Sequence, residues 1–149
     1  FMNAFIVYTI GDKKDTKLSC YCYYAMDDKD RPIGIVDIST NDNRPNEAYI
    51  EYLAVNPNMT GRGIGTRMIK SIIDNGEWFS HNFHVKKWDV SIHKENEASK
   101  KAFLKNKFKQ YTPAETVGLF TNPVLNRYYF ARPRTHTLDS VDYDDEKNK

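Results

Sequence analysis

The sequence predicts an α+β fold, in which an antiparallel meander of strands comes first and helices alternate with further strands after it. Four stretches rich in β-branched and aromatic residues precede residue 56, and polar turns separate them. Two stretches with helical spacing follow, near residues 64–75 and 96–106. A length of 149 residues allows one domain with a substantial core and is short for two.

The meander is expected to consist of four strands joined by turns. Their predicted bounds are Phe5–Ile10, Leu18–Met26, Ile33–Ser39 and Ala48–Val55. The segments Asp27–Pro32 and Asn41–Asn46 are rich in Asp, Asn and Pro, which is typical of turns. Cys20 and Cys22 share one face of the second strand, and we expect both to be buried, reduced thiols.

The second half of the chain predicts two helices and two strands. The first helix carries its apolar residues on one stripe: Ile64, Met68, Ile69, Ile72 and Ile73. Asn75-Gly76 is a plausible end for it. The second helix, over about Asn96–Asn106, is expected to turn Ala98, Ala102, Phe103 and Phe108 toward the core. Strands are predicted at Trp88–His93 and Asn126–Ala131, with a loop at Thr112–Pro123.

The composition narrows the classes of function. A net charge of +2 gives no general nucleic-acid footprint, so nucleic acid is an unlikely partner. No apolar run reaches the length of a membrane span, and no secretory pattern is present, so we expect a cytoplasmic protein. No metal site is predicted, because His81 and His84 lack partner ligands.

The end of the chain differs in composition from the rest. Residues 139–146 read Asp-Ser-Val-Asp-Tyr-Asp-Asp-Glu, with little apolar content around them. Such segments are usually solvated and disordered. We therefore expect a single domain over residues 1–132 and an acidic, disordered tail over residues 133–149, in preference to an acidic docking site.

The most informative segment is the glycine-rich turn that joins the fourth strand to the first helix. It contains Gly61, Gly63 and Gly65. The first N–H groups of a helix have no intrahelical acceptor, and the helix dipole favours an anion there. Glycines let the backbone approach a ligand closely. A strand that runs through glycines into a helix therefore predicts a phosphate-binding site.

The spacing of the glycines distinguishes between phosphate ligands. No Lys-Ser/Thr follows Gly65, which excludes the Walker pattern, and Thr66 stands where the dinucleotide fingerprint needs its third glycine. The remaining pattern is Val-x-Pro-x-x-Thr-Gly-Arg-Gly-Ile-Gly. It closely resembles the acetyl-CoA pyrophosphate loop of the GNAT superfamily of N-acetyltransferases. The resemblance implies that the loop holds the pyrophosphate through Thr60, Gly61, Arg62, Gly63, Ile64, Gly65 and Thr66.

A second block supports this resemblance. The segment from Asn96 to Phe108 is similar to the family pattern Asn-x-x-Ala/Ser-x-x-Leu-Tyr-x-x-x-Gly-Phe. Asn96, which also suits a helix N-cap, Ser99 and Phe103 would then line the pantetheine arm. Phe103 replaces the family's tyrosine, the usual general acid. The order of elements resembles the GNAT fold, a mixed, mainly antiparallel sheet flanked by helices.

The resemblance also implies a mechanism. A backbone N–H near Leu53, Ala54 and Val55 would polarise the thioester carbonyl. Glu51 is the candidate base, with His93 a weaker candidate, and Tyr111, Tyr128 or Tyr129 would have to supply the missing acid. Family members usually carry one or two helices between their first two strands, which wall the acceptor site. Here Gly11–Thr16 leaves no room for them, so either the chain is shortened or another segment, such as Thr112–Leu125, forms the wall.

Three functions follow as hypotheses. The leading one is an acetyl-CoA-dependent N-acetyltransferase acting on a primary amine of a small molecule or a protein. The second is a GNAT-like module that binds acyl-CoA for regulation and transfers nothing. The third, a toxin that acetylates aminoacyl-tRNA, would need a basic face that this composition does not show. The acceptor and a homodimeric assembly both stay open.

Overall fold

The computed structural model describes residues 5–11, 18–81, 84–119 and 127–133. It contains seven strands: β1 Phe5–Gly11, β2 Leu18–Met26, β3 Pro32–Asn41, β4 Glu47–Val55, β5 Lys87–His93, β6 Lys109–Gln110 and β7 Arg127–Pro133. Its helices are α1 Ile64–Asp74, α2 Gly76–Phe79, α3 Glu97–Lys105 and α4 Pro113–Leu119, and a short 3-10 helix covers Pro57–Met59. The predicted α+β fold is confirmed.

All seven strands form one mixed sheet in the order β1-β2-β3-β4-β5-β7-β6. Neighbouring strands are antiparallel except β4 and β5, which are parallel. The first four strands form the predicted antiparallel meander. β1 pairs directly with β2, from Phe5 opposite Tyr24 to Gly11 opposite Ser19. The connection between them, residues 12–17, lies outside the described residues.

Helix α1 packs against the sheet through the stripe that the sequence predicts. Its buried residues are Ile64, Met68, Ile69, Ile72 and Ile73. Close packing depends on Gly34 in β3, because a Cβ built there would lie 2.5 Å from Sδ of Met68. The helix ends at Asp74, and α2 begins after Asn75, as the Asn-Gly pair indicates. Helix α1 is thereby held at the end of β4, which positions the glycine loop between them.

Helix α3 buries fewer residues than the sequence predicts. Phe103 and Phe108 are each 2% exposed, and their rings meet edge to face with centroids 4.9 Å apart. Ala102 is only half-buried, and Ala98 is exposed, so its predicted core position is wrong. Within the helix, Phe103 is the buried residue, so the apolar stripe is one side chain wide. Ala98 lies in the first turn of α3, away from the contact between Phe103 and Phe108.

The predicted loop at residues 112–123 is wrong over its first half, where α4 lies. A reciprocal capping box begins this helix: Glu115 N donates to Oγ1 of Thr112 over 3.2 Å, and Thr112 N donates to Oε1 of Glu115 over 2.9 Å. Pro113 occupies the first helical position, which suits proline. The rest of the predicted loop, residues 120–123, lies outside the described residues, and so do residues 134–149 of the predicted tail, whose first residue, Pro133, ends β7. No helix in the described ranges is long and apolar enough to cross a bilayer.

The two cysteines lie on the same face of β2, as their spacing predicts. Both are free thiols. Cys22 is buried, but Cys20 is only half-buried, so the prediction of burial holds for Cys22 alone. Burial raises the pKa of Cys22 to about 11, and a hydrogen bond with Asp37 contributes. These thiols are therefore mostly protonated at neutral pH.

Candidate active site

The parallel strands β4 and β5 separate part-way along their length and leave a cleft. Their pairing begins with Glu47 opposite Lys87 and ends with Ile50 opposite Val90. A cavity of about 220 Å³ opens between them and reaches helix α3. It is lined by Ile50, Glu51, Tyr52, Leu53, Val90, Ser91, Ile92, His93, Asn96, Ser99 and Phe103.

A β-bulge in β4 lies at the mouth of the cleft. Ile50 pairs with Ile38 of β3, and Tyr52 pairs with the neighbouring Asp37. Glu51, between them, has no pairing partner on β3 and is the extra residue of the bulge. Glu51 lies on the face of the sheet that carries Ser39, because Tyr49, two residues before it, pairs with Ser39. There the Ser39 hydroxyl donates to Oε1 of Glu51 over 2.7 Å. The bulge changes the facing of the residues that follow, so Leu53 lies opposite Val36, while the Glu51 carboxylate stands where β4 and β5 begin to separate.

Beyond the bulge, alternate N–H groups of β4 face the cleft. The N–H of Asn56 donates to the carbonyl of Ile33 over 2.8 Å, so this residue directs its amide toward β3. Neighbouring residues of a strand direct their amides to opposite edges. The N–H groups of Leu53 and Val55 consequently point away from β3, toward the side where β5 has separated.

The glycine loop ends in the free N-terminus of α1. Gly61 and Gly63 take left-handed angles, with φ of 79° and 72°. The N–H of Arg67 donates to the carbonyl of Gly63, so the amides of residues 64–66 precede the first helical hydrogen bond. No side chain caps this end and no acidic residue stands in the first turn. The loop therefore presents several donors to an anion.

The far wall of the cleft comes from the start of α3. The Asn96 side chain caps the helix by accepting from the N–H of Ser99 over 3.1 Å, as predicted. Phe103, one turn further, closes the cleft with a buried ring. His93 also lines the cleft, and its Nδ1 accepts from the N–H of Glu95 over 3.2 Å. That contact leaves Nε2 as the nitrogen through which His93 would have to act as a base.

A second cavity of about 170 Å³ adjoins the cleft, and Glu51 lines both. Its other lining residues are Ser39, Thr40, Asn41, Arg44, Glu47, Ala48, Tyr49 and Asp89. Glu51 thus stands at the junction of the two cavities. A molecule in the second cavity would meet this carboxylate before it reached the cleft.

A charged network forms one wall of the second cavity. Glu47 lies 2.9 Å from Nζ of Lys87 and 3.0 Å from Nε of Arg44. Asp89 is 4% exposed and accepts a hydrogen bond from the Tyr111 hydroxyl over 2.8 Å. Burial raises the pKa of Asp89 to about 6, although Lys87 and the Tyr111 hydroxyl act in the opposite direction. The network ties the segment before α4 to β5.

A profile of the Acetyltransferase (GNAT) family matches residues 5–108. This range includes the meander, the glycine loop, β5 and α3. The chain belongs to this family. The resemblance seen in the two sequence blocks is therefore confirmed. A search of curated proteins finds no match to the sequence.

Solved structures of GNAT enzymes share the fold at low identity. N-acetyltransferase PseH from Campylobacter jejuni, in complex with acetyl coenzyme A, is 17% identical, with a TM-score of 0.56 over 82% of this chain and 72% of that one. Spermidine N-acetyltransferase from Vibrio cholerae, in complex with CoA and spermine, is 13% identical, with a TM-score of 0.60 over 77% and 66%. A GNAT acetyltransferase from Staphylococcus aureus is 12% identical, with a TM-score of 0.59 over 78% and 69%. These likenesses confirm the fold.

Several residues predicted for the GNAT site lie together. The cleft brings together Glu51, Leu53, His93, Asn96, Ser99 and Phe103. Ala54 and Val55 continue β4 toward the loop of residues 60–66. Tyr128 lies on β7 opposite Ile92, and its side chain is outside the described part of the structure. Tyr111 is not among the cleft residues, and its hydroxyl is bound to Asp89.

The sequence analysis missed Ser39 and Asp89, which line the second cavity. An apolar-polar alternation along β3 and β5 places both residues on the face opposite α1, and that alternation was a usable signal. Their partners come from other strands and from the segment before α4. Such partners depend on register, which a single sequence does not specify.

Replacement of Asp89 by Asn is expected to stabilise the protein more at high pH than at low pH. The folded protein holds the Asp89 proton with a pKa of about 6, above the ordinary value near 3.9. Asp89 therefore destabilises the folded state progressively as pH rises from about 4 through 6. Asn still accepts from Tyr111 and carries no charge. We expect the stability difference between Asp89→Asn and the parent to grow by roughly 2–3 kcal/mol between pH 4 and pH 8.

Urea unfolding at the two pH values measures this difference. Asp42→Asn, in the exposed turn after β3, is the control and should show no such growth. An equal effect of Asp89→Asn at both pH values would contradict the assignment.

Proposed function

We propose that the chain is an acetyl-CoA-dependent N-acetyltransferase that transfers an acetyl group to a primary amine of a small molecule or a protein. The observation that supports this most directly is the order of three features along β4 and the loop after it. The Glu51 carboxylate lines the cleft, the open edge of β4 continues beyond it, and the chain then runs through the glycine loop to the uncapped amides at the start of α1. This order matches the three needs of the reaction: an anchor for phosphate, a thioester position and a base.

The described residues fit the donor. The amides of residues 61–66 would hold the pyrophosphate, with the Arg62 charge nearby. The pantetheine arm would lie between β4 and β5, where Asn96, Ser99 and the Phe103 ring form the opposite wall. The N–H groups of Leu53 and Val55 would then donate to the thioester oxygen as negative charge develops on it.

Deprotonation of the acceptor is assigned to Glu51. A lysine-type amine has a pKa of about 10.4, so fewer than roughly one molecule in a thousand is neutral at pH 7. The Glu51 carboxylate takes a proton from the ammonium group, directly or through water, and the neutral nitrogen then forms its bond to the acetyl carbon. The C–S bond breaks, the CoA thiolate leaves, and the second proton of the nitrogen passes to the thiolate or to solvent. His93 is the alternative base.

Protonation of the leaving thiolate lacks an evident donor in the cleft. Phe103 fills the place of the family's tyrosine and has no proton to give. A thiol with a pKa of about 8.5 leaves tolerably as an anion, so the reaction does not require an acid here. Tyr128, on β7 beside β5, is the candidate donor if one exists.

The acceptor is proposed to enter through the second cavity, because Glu51 faces both cavities. The charges of Glu47 and Asp89 are balanced by those of Arg44 and Lys87, so Glu51 is the carboxylate of this cavity that suits an amine that arrives protonated. The spermidine N-acetyltransferase of Vibrio cholerae, whose structure contains CoA and spermine, is a precedent for a small-molecule amine as the acceptor. Assays should therefore begin with polyamines, amino acids, aminoglycosides and peptides.

Release of free CoA thiol from acetyl-CoA, measured against that panel, tests the enzyme. Amine-dependent thiol release supports it. Tight CoA binding without turnover of any amine would instead support a regulatory module that binds acyl-CoA. Two observations favour this second function: Phe103 in the tyrosine position, and the direct β1–β2 pairing with only residues 12–17 between the two strands.

Gly63→Val is expected to weaken CoA binding by about 100-fold or more. Gly63 has a φ of 72°, which a β-branched residue adopts only under strain, and its side chain would stand where the pyrophosphate approaches. Gly65→Ala is the matched control. A Cβ at Gly65 meets Val55 at an ordinary 3.6 Å, on the side of the sheet, so this variant should keep near-parental affinity. Calorimetric titration with CoA measures both. A folded Gly63→Val variant within twofold of the parent would refute the site.

A further inference from the structure

One hydrogen bond at the cleft has no part in the roles given above. It joins the Ser39 hydroxyl to Oε1 of Glu51 over 2.7 Å. Ser39 is 3% exposed, whereas Glu51 is exposed. Burial of a serine costs free energy unless its hydroxyl is bonded, so this contact serves both partners.

The two partners differ in how firmly the sheet holds them. Ser39 is flanked by Cys20 on β2 and Tyr49 on β4, so strands on both sides hold its backbone. Glu51 is the extra residue of the bulge, where the ladder is interrupted. Without a side-chain contact, an exposed glutamate at such a position samples several rotamers. Ser39 is therefore the fixed member of the pair.

A second observation places the carboxylate over this face of the sheet. Burial raises the pKa of Cys20, and the negative charges of Glu51 and Asp37 raise it further. Cys20 lies directly opposite Ser39 on β2. The Glu51 carboxylate thus lies close to the β2–β3 surface, beside the second cavity.

We propose that Ser39 is a positioning residue that holds Glu51 at the junction of the two cavities. This inference rests on the proposed function. Among the described residues, Oε1 is the Glu51 oxygen that takes part in a hydrogen bond, and Ser39 is its donor. Oε2 remains available to the proton of the acceptor amine.

Ser39→Ala tests the proposal by two readouts. In the first, ¹³C NMR at one neutral pH follows the Glu51 carboxyl signal, which is assigned by its absence in Glu51→Gln. The chemical shift of this signal should change in Ser39→Ala, because the hydroxyl no longer donates to the carboxylate. In the second, kcat/KM for the amine should fall about 5–20-fold at the same pH, while CoA affinity stays unchanged.

Ser80→Ala is the matched control. Ser80 is 1% exposed and its hydroxyl donates to the carbonyl of Gly76 over the same 2.7 Å, but it lies outside the cleft. This variant should lose stability without changing the Glu51 carboxyl signal or kcat/KM for the amine. Ser39→Thr, which restores a hydroxyl, should recover both. In a Glu51→Gln background, Ser39→Ala should change turnover by less than about twofold.

The outcomes separate the two proposals. An unchanged Glu51 carboxyl signal in Ser39→Ala overturns the positioning role, whatever the turnover. A signal that changes, together with a parent protein that releases no thiol with any amine, overturns the enzymatic function and with it the catalytic meaning of the pair. An effect of Ser39→Ala on turnover that persists in the Glu51→Gln background shows that Ser39 acts independently of Glu51, and this also overturns the proposal.

Discussion

Glu51→Gln should lower acetyl transfer by roughly 100-fold or more while leaving CoA affinity close to that of the parent. Glutamine keeps the shape of the side chain and can still accept from Ser39, but it cannot take a proton from the amine. The site for CoA, formed by the glycine loop and the cleft, is not altered. The fall should therefore appear in the chemical step. Pre-steady-state and steady-state thiol release, with CoA titration in parallel, measure the two effects.

A charge-matched control distinguishes loss of the base from loss of a negative charge. Glu77→Gln, on the exposed surface of α2, removes the same charge and should keep parental turnover. Parental turnover in Glu51→Gln across the pH range would transfer the role to His93, acting through Nε2, or to bulk water.

Phe103→Ala should destabilise the protein by roughly 3–5 kcal/mol, the range for truncating a buried phenylalanine. Phe103 is 2% exposed and its ring packs edge to face on Phe108. Removal of the ring loses this contact and opens a cavity beneath α3. Leu104→Ala is a matched control on the next residue of the same helix: Leu104 is 44% exposed, so its truncation should cost less than about 1 kcal/mol. Chemical denaturation of both variants measures the difference. A similar loss of unfolding free energy in the two variants would show that α3 does not bury Phe103 against Phe108.

Phe103→Tyr tests whether the site lacks a general acid for the CoA thiolate. The new hydroxyl would be costly if it found no partner. A gain in turnover would show that the cleft can use a proton donor at this place. A loss of activity in Tyr128→Phe, with folding and CoA binding intact, would show that Tyr128 on β7 is already the proton donor.

Much of the fold could be predicted because its signals are local. The apolar stripe of α1 and the turn residues between the strands act over a few positions, and these elements match closely. The α4 error was avoidable, since Thr112-Pro-Ala-Glu115 is a capping-box sequence with proline at the first helical position. The loop could be recognised because its glycines carry positive φ at two places, which few other residues adopt.

The arrangement at Glu51 could not be predicted in the same way. A bulge is a mismatch between two strands, so it exists only in the register of β3 with β4. The contact with Ser39 depends on that register across twelve residues of sequence. The burial of Asp89 likewise depends on Tyr111, which lies beyond β5 and α3 in the chain. Local patterns carry no information on these contacts.

The separation of β4 from β5 leaves a sheet that is interrupted at its centre, between a four-stranded half and a three-stranded half. Beyond Ile50 and Val90, the facing edges of β4 and β5 no longer pair through backbone hydrogen bonds. An extended ligand with its own amides can act as a substitute strand and join the two halves. Binding should then strengthen the whole sheet, and the backbone amides of Leu53 and Val55 should exchange hydrogen more slowly when CoA is present.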